Sequence, residues 1–228
     1  MSPRKSVAEA RRTRERIVER GVAIASVEGL EGLTIGRLAT DLGMSKAGVL
    51  GHFGTKQTLQ LATLDEAAAV FSRLVWEPAR DAQPGLPRLR AICEAWITYL
   101  ETARDTFPGG CLFTTASIEF DARDGLVRDA VARLFRLWRR RLAGEVRVAV
   151  AAGDLPGDTD PEQVAYEMGG LYMALNQEIQ LFAAPEAPER TRRALDRLLA
   201  PRQDRRTEAL PAEEESPAGV KIRQDRPA

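Results

Sequence analysis

Apolar residues recur at helical spacing along almost the whole chain, and runs alternating on a period of two are nearly absent. Alanine, leucine, arginine and glutamate dominate, so the pattern predicts an all-α fold. Glycine and proline cut it into separate helices. The first is expected from about Arg11 to Val27, with Ile17, Gly21, Ile24 and Ala25 on one stripe and Gly29 as its stop. Thr34 reads as an N-cap, followed by Ile35, Leu38, Ala39 and Leu42 at i, i+3, i+4 and i+7. Gly43 ends that two-turn helix. Ser45 then caps another, Lys46 to Phe53, in which Val49 and Phe53 look inward.

The remainder reads as a larger bundle. Helices are expected from Thr55 or Lys56 to about Trp76, from Pro87 through Leu100, from Cys111 to Phe120, from Gly125 to about Ala151, from Pro161 to about Phe182 and from Pro188 to Ala200. Asp160-Pro161-Glu162-Gln163 is a strong helix start, with an N-cap acid and proline in the first turn. Residues 201–228 are rich in proline and charge and poor in large apolar side chains. Such a segment cannot bury enough surface to offset its ordering entropy, and it is expected to be disordered. The chain thus divides into a flexible arm (1–10), a small three-helix unit (11–60), a larger helical bundle (61–200) and a tail (201–228).

Lys and Arg number 33, as do Asp and Glu, so the net charge is zero and the chain does not coat nucleic acid by bulk charge. The distribution is uneven. Residues 1–60 carry ten basic and six acidic side chains, a balance of +4, which leaves −4 on the rest. A basic head on an acidic body suits a protein whose head alone meets phosphate. Two cysteines without a C-x-x-C exclude a disulfide framework and a zinc ribbon, and a single histidine, His52, argues against a metal site or a His-based triad. No secretory leader opens the sequence and no apolar run approaches 18 residues, so a cytoplasmic protein without membrane contact is expected.

The two short helices have helix-turn-helix dimensions. The second carries Lys46, Ala47, Gly48, Leu50 and Gly51, small or basic positions that would let it enter a major groove about 12 Å wide. The caps Thr34 and Ser45 leave helix N-termini that favour phosphate, and Lys46 and Lys56 add point charges. Spacing alone leaves this open between a DNA reader and a helical hairpin without a ligand.

The residues themselves resemble a known family. Leu33-Thr34-Ile35, Leu38-Ala39, Leu42-Gly43-Met44-Ser45-Lys46-Ala47-Gly48-Val49-Leu50-Gly51-His52-Phe53-Gly54-Thr55-Lys56 is similar, in order and spacing, to the DNA-binding domain of tetracycline-repressor (TetR) family transcription regulators. The resemblance covers about residues 11–60. It implies that Thr34, His52 and Lys56 contact backbone phosphates. Lys46, Ala47, Gly48 and Gly51 would face base edges, with Ser45 capping the reading helix and Arg37 near the start of the preceding one. Family members often carry tyrosine where this chain has Leu50, which would instead make an apolar contact such as a thymine methyl. The partners implied are double-stranded DNA, a second copy of the chain and a small-molecule effector, with no other cofactor and no catalysis.

In the body the resemblance is looser, resting on the helix count and on Phe107-Pro108-Gly109-Gly110-Cys111-Leu112-Phe113. An effector pocket is expected among Trp96, Tyr99, Phe107, Cys111, Phe113, Phe120, Trp138, Tyr172, Met173 and Asn176, although any one of these suits plain core. Gly169 and Gly170 each cost roughly 1 kcal/mol against alanine mid-helix, which close approach of another helix would offset. The last two helices are therefore the expected homodimer interface, through Ala165, Gly169, Gln180, Leu195, Leu198 and Leu199. A dimer would read two half-sites about 34 Å apart. Two rival classes are weighed. An enzyme would have to use the carboxylates Glu119, Asp121 and Asp124, which no nucleophile or phosphate loop supports. A protein-interaction module would act through the tail.

Overall fold

A computed structural model describes residues 7–200. Among them nine α-helices follow one another: α1 (Val7–Gly32), α2 (Ile35–Leu42), α3 (Lys46–Phe53), α4 (Lys56–Phe71), α5 (Leu86–Thr102), α6 (Leu112–Glu119), α7 (Leu126–Ala152), α8 (Pro161–Gln180) and α9 (Ala187–Leu198). The fold is all-α, a small helix-turn-helix head joined to a helical bundle. Val7–Ala10, expected in a flexible arm, belong to α1. Residues 1–6 of that arm and the tail 201–228 lie outside the described residues.

The head is built by local chemistry. The Thr34 hydroxyl accepts the N–H of Arg37 and opens α2; Gly43, at φ 62°, closes it. Ser45 does the same for α3 through the N–H of Gly48, and Thr55 for α4 through that of Thr58. Leu33, Leu38, Val49, Phe53 and Leu59 are buried around Ile17 of α1. At roughly 1.5–3 kcal/mol per large apolar side chain buried, these few residues hold the short helices together.

Gly29 breaks the first helix. It stands at φ 76° and ψ 166°, a kink after which the chain makes one more helical turn. The kink frees backbone groups that long-range partners satisfy. The Glu119 carboxylate at the end of α6 accepts the N–H groups of Leu30 and Glu31, each at 2.8 Å. Gln60 donates to the Leu30 carbonyl at 2.7 Å, and the Lys56 ammonium to the Glu31 carbonyl at 2.7 Å. A Cβ at position 29 would lie 2.7 Å from a Glu119 oxygen, so both the backbone and the space demand glycine.

The body packs α7 along α8, with α4, α5 and α9 against them. Helix α4 is continuous through residue 60 and so spans head and body. It passes at Ser72–Trp76 into a π-helical turn. Such turns widen the helix and re-aim side chains. Here the turn lies beside a cavity. Helix α6 bridges the two parts. At its start the N–H of Cys111 bonds the buried Asn176 of α8 at 2.8 Å, and at its end Glu119 holds α1.

Candidate functional site

The head presents α3 to solvent. Only Val49 and Phe53 of its eight residues are buried. Lys46, Ala47, Leu50 and Gly51 are exposed, Gly48 and His52 are partly so, and a Cβ on Gly51 would meet nothing within 4 Å. Leu50, 45% exposed, is a large apolar side chain in water, a cost that a ligand surface would relieve. Lys46 reaches back over α2, its Cε 3.2 Å from where a Cβ of Gly36 would be, so glycine there makes room for the lysine stem. Thr34 and Ser45 are exposed at the two N-termini on the same motif. The helix is positioned by Arg14 of α1, which donates to the His52 carbonyl at 2.6 Å and lies over the Phe53 ring at 4.2 Å. The sequence pattern missed this role, because Arg14 is one of five arginines near the N-terminal end of α1 and nothing local distinguishes it.

Two residues expected at the DNA are engaged elsewhere. Arg37 is held by Glu28 at 2.9 Å and Asp41 at 3.2 Å. Asp41 also takes a bidentate contact from Arg20. Bonding to Arg20, and secondarily to Arg37, brings the Asp41 carboxyl down to about 2. Lys56 is tied to Glu31, and together with Gln60 it lowers the Glu31 carboxyl below its usual range. Arg37 and Lys56 therefore brace the head in this structure, and only a partner that outcompetes those carboxylates would draw them to a phosphate.

In the body, a cavity of about 340 Å³ opens between α4, α5, α6 and α7. Of the expected pocket residues, Trp96, Cys111, Phe113 and Trp138 line it. Tyr99 stands behind Phe71, and burial keeps its phenol protonated, raised well above the usual value. Phe107 packs on Tyr99, and Tyr172 stacks on Trp96 at 3.7 Å with its hydroxyl on the Cys93 carbonyl. Phe120 is buried beside Arg123, Asn176 anchors α6, and Met173 is exposed on α8. None of these six lines the cavity. Sequence reasoning passed over Phe71, Trp76, Phe135 and Arg141, all of which do. Phe71, Trp76 and Trp96 meet the Trp138 ring edge to face at 4.9–5.8 Å. The indole N–H of Trp138 is buried without a partner among the described residues. Cys93 is buried away from the cavity, and desolvation pushes its thiol up to about 11.

The expected interface residues divide. Ala165, Leu195 and Leu199 are buried within the chain itself, where α8 and α9 pack on the bundle, and offer no side chain to a second copy. Leu198, Gly169 and Gln180 are partly exposed. The surface left on α8 is different: Tyr166, Gly170, Met173, Gln177 and Leu181 are exposed at i, i+4, i+7, i+11 and i+15, with Phe182 beyond them. The acidic cluster also resolves. Glu119 is spent on the two N–H groups of α1, while Asp121 and Asp124 are exposed loop residues. Among the described residues no group of His, Cys, Asp and Glu could hold a metal, and no helix is long and apolar enough to cross a membrane.

A capped helix-turn-helix with an outward-facing second helix, carried on a helical body with an aromatic cavity, is an arrangement suited to a DNA-binding regulator. Comparison with known proteins agrees. Residues 85–195 match the family described as Tetracyclin repressor-like, C-terminal domain. Transcriptional regulator AcuR of Cereibacter sphaeroides is 25% identical over 150 residues, 65% of this chain and 68% of that protein. A TetR-family transcriptional regulator from Cytophaga hutchinsonii superposes with a TM-score of 0.74 at 20% identity, covering 86% of this chain and 96% of that one. AibR, solved in complex with isovaleryl coenzyme A and operator DNA, gives 0.67 at 18% identity over 82% and 98%. The chain thus resembles TetR-family transcription regulators: its body matches their C-terminal domain over residues 85–195, and it shares their fold.

Proposed function

We propose that the chain is a ligand-responsive repressor that binds a pseudo-palindromic operator as a homodimer. The observation that carries this reading is the split use of α3, with Val49 and Phe53 in the core and Lys46, Ala47, Leu50 and Gly51 free on the outer face. That face would enter the major groove, with Thr34, Ser45 and His52 at the flanking phosphates. The apolar stripe on α8 supports pairing with a second copy. The glycines at 169 and 170 face open space within the chain, where a partner helix could approach closely. The cavity beside α6 is the proposed effector site. A ligand there releases DNA only if it binds the two arrangements of the body with different affinity.

Selection from a random duplex pool tests the reading. Wild type should enrich a two-fold-related sequence with half-sites about one helical turn apart, at physiological salt. A Lys46→Ala, Gly51→Glu double mutant should enrich nothing. Sedimentation should give a dimer for wild type and a monomer for Met173→Arg. Enrichment of no sequence by folded wild type at several salt concentrations would refute the repressor reading and favour a protein-interaction role.

A further inference from the structure

We infer that the cavity takes an organic anion with a hydrocarbon body, such as a carboxylic acid or an acylated nucleotide carrier. The inference rests on the cavity being the effector site. Its walls are almost wholly apolar: aromatic rings from α4, α5, α6 and α7 with alanine and leucine between them. The few polar groups are mostly donors. Trp138, one of the lining residues, has a buried N–H with no partner among the described residues, and indole nitrogen can only donate. Arg141, three residues on and so on the same face of α7, brings the one charge on the lining. Its guanidinium lies 5.2 Å from the Trp76 ring, which pre-positions the fork and leaves its N–H edges for an oxyanion.

The aromatic rings alone would also suit a cation. The charges decide against it. No carboxylate lines the cavity, and the face of Trp76 already holds the guanidinium. Between Asp129 and Glu145, α7 carries five arginines and no acid. Among the described residues Arg133, Arg136, Arg140 and Arg141 have no carboxylate partner in the salt bridges described. The nearest acid along the helix, Glu145, is buried on the Gly85 N–H at 2.8 Å and on Arg88 at 3.2 Å. The potential at this helix therefore attracts an anion and repels an ammonium. A ligand with an oxyanion would satisfy the orphan N–H while its chain fills the ring-lined space.

Calorimetric titration of the full chain without DNA, using four eight-carbon probes, tests this. Octanoate should bind about tenfold or more tighter than octanol, and octylammonium weaker than both, as expected for one charge-assisted contact. Trp138→Phe and Arg141→Met should each erase most of that preference while leaving octanol within about twofold. Circular dichroism confirms folding, and Arg141→Lys should restore part of the preference. Octanoyl-coenzyme A separates the two sources. If it binds tighter than octanoate, and Arg133→Ala with Arg140→Ala weakens it alone, the ligand is carrier-borne; otherwise it is the free acid. Equal affinity for octanoate and octanol, or tightest binding of octylammonium, overturns the inference, as does a preference untouched by either variant. Operator mobility is read separately. An anion that binds as expected but leaves an operator complex intact removes the sensing role and not the ligand class. Release by a cation alone does the reverse.

Discussion

Helices α3 and α6 are both eight residues long and both bury two side chains, yet they are held in opposite ways. α3 is capped by its neighbour Ser45, fixed from one side by Arg14 and the Phe53 ring, and otherwise faces water. α6 has no side-chain cap of its own. Its first N–H is taken by Asn176 from α8 and its last side chain by the α1 backbone. A helix anchored along one edge can offer the other edge to a ligand. A helix pinned at both ends to different parts of the molecule transmits displacement between them. Gly109, just before α6, tightens that link: its N–H bonds the Ser26 hydroxyl at 3.1 Å, and a Cβ there would lie 2.0 Å from the Ser26 carbonyl oxygen.

The contrast can be broken most strongly at Phe53. Replacing it by alanine should cost about 3–5 kcal/mol, as for other buried aromatics, and should undo the head first. All three tryptophans are in the body, so denaturant titration should show far-UV helicity falling before tryptophan emission shifts. Coincident transitions would show instead that head and body unfold as one. The next largest effect is expected at Glu119. Alanine there leaves two N–H groups without their charged acceptor, at about 2–3 kcal/mol, and glutamine should recover part of the loss because it keeps an acceptor oxygen. Thermal unfolding of the two variants checks this. An equal loss would mean that packing, not charge, holds the junction.

Lys46→Ala sharpens the other side of the comparison. It should leave the melting temperature unchanged while lowering DNA affinity about tenfold and reducing the salt slope by about 1, the signature of one lost phosphate or base contact. The smallest effect is electrostatic. Asp41 is depressed to about 2 by Arg20 and Arg37, so its folded pKa lies below its unfolded one. The stability it adds is present above about pH 4 and is lost as pH falls through about 2. Its partners Arg20 and Arg37 are each more than a third exposed, so screening should hold this to under about 1 kcal/mol. Wild type minus Asp41→Asn, measured by denaturation from pH 7 to pH 2, should shrink toward zero at the acid end and with added salt.

What the sequence displayed and what it hid follow the same division. The bounds of α2 and α3 were legible because each cap acts within three residues of its helix. The helical turn that resumes after Gly29 was not. Glycine after an apolar stripe reads as a stop, and the acceptor that lets the chain resume lies 89 residues away. Arg37 and Lys56 matched a DNA-contact pattern, but the pairing of Arg37 with Glu28 and of Lys56 with Glu31 depends on how α1 lies across α2 and α4; only the Arg37–Asp41 pair is local to α2. In the body, periodicity marked Trp96 and Trp138 as inward. It did not show that Trp76 would turn into the same cavity, because a π-helical turn from Ser72 to Trp76 shifts the register that periodicity assumes. The burial of Leu195 and Leu199 had a similar cause, since an apolar face reads alike whether its partner is the same chain or another.

The pairing of Gly29 with Glu119 also bears on how such a chain can be recombined. One half of the pair belongs to the helix-turn-helix head and the other to the helical body, so neither is interchangeable alone. A transplanted head with an unbroken helix at position 29 would offer this body no free N–H groups, and would set a side chain against a carboxylate with nowhere to move. A grafted head should work on this body only when it brings its own left-handed glycine at that point.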